Sequence, residues 1–401
     1  LTVTTPDDQR NRRRRDDYDR PAVEALLRNF ARIGKEVTGP AAADVDSSAR
    51  FPTETIDALR DEGLLSLVVP TDLGGAGRSL PEVARAINLL AQHCSSTGLI
   101  LAMHYSQLAV LARHGRNDAL RDLQRRVVSD QLLLANCNSE TQIRGDDRSS
   151  RCHLERRSDG SYLLDKETPV ISYGSEADVL LITARRSASA SENDQVVVAC
   201  ERTTLVLDPG PAWDMLGLRG TCSRSYRVRA SGPLSMVLDD SYDVIVNETG
   251  MGATNILFAG FWLGVAEAAA TVAHRSVRAD RSGSQSARIA SLRLAELVGD
   301  LQAVRDRTWS AAERFALKQG SPEAQTLEEI TDLQGLKVLG TLAPVEIATQ
   351  AMRICGVKSY LGGSPWSLGR ILRDAHGLAL MASADSALQQ NSEMLTVRKS
   401  I

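Results

Sequence analysis

The chain has 401 residues, 43% of them hydrophobic, and a formal net charge of −3. That length can bury a sizeable core in two or three packed layers, and the near-balanced charge gives no global attraction to nucleic acid or to an anionic membrane. No run approaches the roughly 20 apolar residues of a membrane span, and the N-terminus has no apolar signal core. The six cysteines (Cys94, Cys137, Cys152, Cys200, Cys222, Cys355) contain no Cys-x-x-Cys pair. Their scatter argues against a zinc site or a disulfide framework and for free thiols in a reducing cytoplasm.

Residues 1–20 carry Arg12 to Arg15 followed by Asp16 and Asp17. The acids cancel the field of the arginines within a Debye length, so this stretch reads as a disordered polar tail. A helical domain is expected over 21–131. Pro52 suits a first helical turn, and Gly63 ends the helix that carries Ile56 and Leu59. The run Asp72-Leu73-Gly74-Gly75-Ala76-Gly77 lacks the Lys and spacing of a phosphate loop and reads as a structural turn. Ser79-Leu80-Pro81-Glu82 is a capping box opening the next helix, and two more helices are expected over 95–115 and 118–129.

The texture changes to an antiparallel β-domain over 132–243. Ser158-Asp159-Gly160-Ser161 is a hairpin turn between Leu154 to Arg157 and Tyr162 to Leu164. Short β-branched runs follow at 179–183, 196–200 and 204–207. Helical periodicity returns over 244–401. Residues 255–279 are apolar on most faces, as a helix buried in a bundle must be. The spacing of Leu294, Leu297, Leu301, Val304, Thr308, Ala311 and Phe315 gives a bundle seam. Further helices are expected over 327–355 and 365–381. The class is α+β, mostly α.

Three segments carry a family resemblance. They are Ser172-Tyr173-Gly174-Ser175-Glu176-Ala177-Asp178 with the strand-like run after it, Met215-Leu216-Gly217-Leu218-Arg219-Gly220-Thr221, and Leu372-Arg373-Asp374-Ala375. From Phe51 to the C-terminus the chain resembles the acyl-CoA dehydrogenase superfamily. The resemblance implies an N-terminal helical domain, a central antiparallel β-domain and a C-terminal four-helix bundle. It also implies a homodimer or homotetramer with flavin between subunits.

On this resemblance, Asn136, Asn138 and Ser139 match the β-domain segment that touches the flavin ring, with Ser139 as hydroxyl donor. The Gly-Ser-Asp element after it matches Gly145-Asp146-Asp147 loosely. Val170 stands where the family has an indole, and Ser172 keeps a hydroxyl. Arg278 and Arg353, with Gly356, match the elements that hold the dinucleotide pyrophosphate, but without the family's aromatic and with two glycines lost. Arg281 reads as a surface arginine paired with acids. FAD is the implied cofactor, ahead of FMN.

The family's catalytic Glu, which takes the α-proton of an acyl thioester, aligns on Ala382; its alternative site falls near Thr254. Asp385 is the nearest substitute. A second branch needs no carboxylate there: its members use reduced flavin and oxygen on aromatic, amine or thioether substrates. Asn138-Ser139-Glu140 resembles that branch. His104 and Ser139 are then the candidate catalytic residues, with His376 at the cavity mouth and Arg373 and Asp374 as structural ion-pair partners. The expected function is an FAD-dependent monooxygenase of a small aromatic or polycyclic metabolite, served by a separate flavin reductase. The alternatives are an acyl-thioester dehydrogenase with a relocated base and a catalytically silent partner subunit.

Overall fold

The computed structural model describes residues 6–141, 143, 148–318, 326–381 and 384–397, with side chains from Arg20 onward. The N-terminal region consists of α1 (Pro6–Ile33), α2 (Gly39–Ser47), α3 (Thr53–Asp61), α4 (Leu80–Ala91), α5 (Ser95–His114) and α6 (Asp118–Asp130). Helix α1 begins at Pro6, and its backbone runs through the arginine-rich stretch expected as a polar tail. Where its side chains are described, Arg20, Glu24 and Arg28 pair at the i, i+4 spacing that favours helix.

The local signals act as read. Pro52 caps α3, and Gly63 follows it in the left-handed region at φ +69°. Ser79 and Glu82 form the reciprocal capping box of α4. A Cβ on Gly75 would sit 2.1 Å from the Val69 carbonyl oxygen, so the glycine-rich run is a tight turn. Helix α5 is buried on almost every face and forms the centre of this region.

The β-region contains β1 (Leu134–Cys137), β2 (Glu155–Arg156), β3 (Ser161–Ile171), β4 (Val179–Arg185), β5 (Gln195–Glu201), β6 (Leu205–Ala212) and β7 (Arg224–Pro233). They form two sheets, ordered β1-β4-β5 and β2-β3-β7-β6. The expected Asp159–Gly160 turn joins β2 to β3, with Gly160 at φ +83°. One pair departs from the antiparallel expectation: β1 runs parallel to β4, with Leu134 opposite Val179. Strands β4 and β5 lie between other layers and are buried on both faces, so they read as continuous apolar runs.

The helical part that follows comprises α7 (Tyr242–Ile245), α8 (Met251–Ala279), α9 (Gln285–Lys318), α10 (Leu327–Cys355), α11 (Gly369–Met381) and α12 (Ala384–Val397). Helices α8 to α11 make the bundle, and α12 lies along α10 through Gln334–Gln390 and Asn391–Thr331 contacts. Helix α8 is long and apolar enough to cross a membrane, but most of its apolar window is buried inside the protein. Glu267 on α8 accepts from Asn88 of α4 and from Arg305 of α9, joining the bundle to the N-terminal helices. At the entry to α8, His114 bridges Asp240 and Thr249 at 2.8 and 2.9 Å.

One buried carboxylate ties all three regions together. Asp374, on α11 and 2% exposed, accepts from the Leu218 N–H at 2.7 Å and from the Ser95 hydroxyl at the start of α5. Next to it, Arg373 pairs with Asp46 of α2 and donates to the Leu216 carbonyl. The approach is so close that a Cβ on Gly217 would lie 2.4 Å from the Arg373 carbonyl oxygen. Burial pushes the Asp374 carboxyl above the ordinary carboxylate range.

Asp374→Asn keeps an oxygen for the Leu218 N–H and removes a group whose charge burial disfavours. Asp374→Ala strands that N–H, at a cost of about 1–3 kcal/mol. Urea denaturation should therefore rank the wild type and Asp374→Asn close together, with Asp374→Ala well below both.

Candidate active site

The chain leaves β1 into the turn Asn138-Ser139-Glu140, which lies against the irregular end of β3. The β3–β7 register shifts between Thr168 and Ile171. That bulge frees the Val170 carbonyl, which accepts from the Ser139 and Thr168 hydroxyls at 3.3 and 3.1 Å. The Ser139 hydroxyl also lies 3.1 Å from that of Thr168. Beyond the bulge, the Ser172 and Ser223 hydroxyls are 2.9 Å apart, and Ser223 and Thr221 are 2.8 Å apart. Thr221 ends this hydroxyl chain by donating to the Leu218 carbonyl at 2.9 Å. Tyr173 holds the segment in place. It is buried at φ +42°, its N–H donates to Thr221 O at 2.6 Å, and its hydroxyl donates to Leu134 O at 2.9 Å.

The turn is oriented from beneath by a charge the sequence reading missed. Lys166, 1% exposed on β3, donates to the Asn138 carbonyl at 3.2 Å and to the Thr183 carbonyl and hydroxyl at 2.8 and 2.9 Å. Its counter-ion is Glu140, 3.4 Å away. Glu140 also accepts from the Ser150 hydroxyl and from the Arg151 and Cys152 N–H groups. These donors hold its carboxyl below the usual range against the opposing effect of burial. Asp165-Lys166-Glu167 looks like a solvated charge run. The missed signal was strand parity: Tyr162, Leu164, Lys166 and Thr168 share the buried face of β3.

A trans peptide points its C=O and N–H in opposite directions. With the Asn138 carbonyl drawn toward Lys166, the Ser139 N–H faces the other way. Among the described residues, no hydrogen bond engages that N–H or the side-chain amides of half-buried Asn136 and Asn138. Unengaged donors beside the Ser139 and Ser172 hydroxyls fit the polar edge of a flavin, which needs donors at its N1–C2=O side and near N5. A groove of about 690 Å³ over β3, β6 and β7 includes Glu140, Lys166, Arg227 and Arg229 but neither Ser139 nor Ser172.

His104 does not join this edge. It is fully buried, its Nε2–H donates to Leu65 O at 2.7 Å, and its Nδ1 accepts from the Leu134 N–H at 3.0 Å. Both ring nitrogens are spent on backbone, so the expected catalytic role is corrected to that of a neutral pin between α5, the 64–65 segment and β1. Arg373 and Asp374 have the structural roles described above. His376 is exposed on α11.

The expected pyrophosphate residues lie at one end of the bundle, where α8 and α10 finish side by side and Ser276 hydrogen-bonds the Cys355 thiol. Arg278, Arg281 and Arg353 are exposed there, and among the described residues none of their side chains has an acidic partner. Arg281 was expected to be paired with acids, and among the described residues it has no such partner. Gly356 ends α10 at φ +68°. These cations also complement the negative ends of the two helices. Thr254 is half-buried on α8, and Asp385 is exposed in the first turn of α12. Ala382, Asp146, Asp147 and Gly145 lie outside the described residues.

Comparison with known proteins gives the following. The model of the acyl-CoA dehydrogenase N-terminal domain matches residues 20–130, and that of the C-terminal domain matches residues 245–384. An amino sugar nitrososynthase, DnmZ of Streptomyces peucetius, is 27% identical over 84% of each chain. FMN-bound TdsC from Paenibacillus sp. A11-2 superposes with a TM-score of 0.82 at 20% identity, over 93% of this chain and 98% of its own. Butyryl-CoA dehydrogenase from Megasphaera elsdenii gives 0.81 at 20% identity over the same shares.

Burial lowers the His104 pKa from 6.5 to about 4. Between those values the unfolded chain binds a proton that the folded chain excludes, so stability is lost as the pH falls from 6.5 toward about 4. His93 is lowered by burial too and contributes in the same sense. Denaturation midpoints measured across this range should fall with pH, and fall less steeply in His104→Gln. An unchanged slope in that variant would mean that His104 is not held neutral.

Proposed function

The chain belongs to the acyl-CoA dehydrogenase family, and from that premise we propose that it is a flavin-dependent oxygenase rather than an acyl-thioester dehydrogenase. The reading rests on the resemblance: the family's two positions for a proton-abstracting carboxylate align on Ala382 and near Thr254, and neither residue is acidic. Without a positioned base, removal of an α-proton loses a factor of roughly 10²–10⁴. Asp385 is exposed to water in the first turn of α12, a poor setting for a base.

When bound in reduced form, the flavin supplies two electrons with which dioxygen delivers one oxygen atom to substrate and the other to water. The protein's part is to hold it. The Ser139 N–H and hydroxyl, the Ser172 hydroxyl and the Asn136 and Asn138 amides would engage the ring edge beside Val170. Arg278 and Arg353, with Gly356 letting the backbone turn closely, would meet the pyrophosphate of FAD. Exposed Arg278 and Arg353, without acidic partners among the described residues, make an open grip, which suits a flavin arriving reduced from a separate reductase. An alanine in place of a glutamate at the aligned base position suits a small aromatic or polycyclic substrate that needs no proton abstraction. Similarity to an amino sugar nitrososynthase favours an amine nitrogen as the atom oxygenated.

No hydrogen bond or ion pair links the ring edge to the cationic bundle end among the described residues. Beside that end, Val357, Tyr360 and Leu361 are exposed by 74%, 81% and 55%. A second copy covering this apolar surface could bring the two half-sites together, which supports a homodimer or a homotetramer built from dimers.

Titration of FAD and FMN into the protein should give saturable binding, with FAD the tighter. Ser172→Ala should cost about one hydrogen bond, roughly 1 kcal/mol or about fivefold in Kd. Saturated acyl-CoA should leave the bound oxidised flavin unbleached without oxygen. With reduced flavin, labelled dioxygen and an amine or aromatic acceptor, the label should appear in product. Rapid anaerobic bleaching by an acyl-CoA would overturn the assignment and make Asp385 the base to test.

A further inference from the structure

We infer that Lys166 is the positioning residue of the ring-binding edge: its buried ammonium holds the Asn138 carbonyl inward and so keeps the Ser139 N–H turned toward the ligand. This rests on the flavin reading above and names the group on which it depends. Lys166 reaches Asn138 on the chain leaving β1 and Thr183 on β4, so its ammonium protons are taken up by two backbone segments and by Glu140. Glu140 in turn is anchored to residues 150–152. The Thr183 hydroxyl adds a second bond to the same Asn138 carbonyl, at 3.3 Å.

Stability alone does not account for this arrangement. A buried ion pair gains little over well-packed apolar side chains of the same volume, because both charges lose their hydration. What an apolar replacement cannot do is hold a carbonyl oxygen. With the ammonium gone, the weaker Thr183 hydroxyl is the only donor left on the Asn138 carbonyl among the described residues. A flipped peptide would present a carbonyl where the ligand meets a donor. Because Glu140 neutralises the lysine, the effect is one of orientation rather than net field.

The test compares wild type, Lys166→Met and the milder Thr183→Val. Each is titrated with FAD, with the visible spectrum of the bound flavin recorded and hydrogen exchange followed in the peptide spanning residues 134–141. In the wild type, saturating FAD should slow exchange in that peptide. Lys166→Met should bind roughly tenfold or more weakly, with the flavin band near its free position and no protection of the peptide even at saturation. Thr183→Val should shift both readouts in the same direction by a smaller amount. A purely structural lysine would lower the melting temperature and leave the spectrum and protection at saturation intact, which overturns the inference. If Lys166→Met does not fold, Thr183→Val decides: wild-type affinity, spectrum and protection would refute the role. Absence of flavin binding by the wild type would instead sink the flavin reading itself.

Discussion

The hydrogen bond from the Leu218 N–H to buried Asp374 is the contact on which the arrangement of this protein depends. It fastens a β-region loop to α11, and through Ser95 to α5, at a point where three regions meet. The other side of the same residue serves the site. The Leu218 carbonyl receives Thr221, and the hydroxyl chain runs from there through Ser223 to Ser172. Leu218, Cys222 and Tyr173 all have positive φ without being glycine. Such conformations cost free energy and persist only where surroundings over-determine them. Here the over-determination comes from Asp374 and from the Gly217 contact with α11, so the junction between layers and the geometry of Ser172 are one problem solved once.

The polar groups divide into those that are satisfied and those left over. His104, Tyr173, Lys166, Glu140 and Asp374 are buried and fully engaged, chiefly by backbone. They fix segments relative to one another. Among the described residues, the Ser139 N–H and the Asn136 and Asn138 amides stand at the rim of that network without partners. A rigid, satisfied interior beneath a rim of idle donors is what a preorganised recognition edge requires, since its donors pay little reorganisation when a ligand arrives.

Much of the architecture was legible in the sequence because local chemistry and tertiary context agree. The capping box at Ser79, the turn at Gly160 and the apolar length of α8 each specify one structure. The segments around Gly217 and Asp374 betrayed the family because their packing admits few alternatives. The site was less legible. His104 on a buried helix face looks the same in sequence whether its nitrogens meet substrate or carbonyls; only the neighbouring backbone tells. Lys166 was hidden by its charged neighbours, although alternation along β3 placed it inward. The parallel pairing of β1 and β4 could not be read either, since strand direction follows from the path of the intervening chain and not from the strand residues.

That pairing has a kinetic consequence. A parallel pair needs a long crossover, and here the crossover contains the entire β2–β3 hairpin. Closing the β1–β4 pair brings together residues separated by that whole crossover, the kind of non-local contact that slows folding. Lys166 lies on the crossover itself, and its acceptors lie on β4, at Thr183, and on the segment just after β1, at Asn138. On the reading proposed above, the edge at Asn138 and Ser139 takes its orientation only once segments far apart in the sequence have met, so ligand binding there would report on a completed β-region.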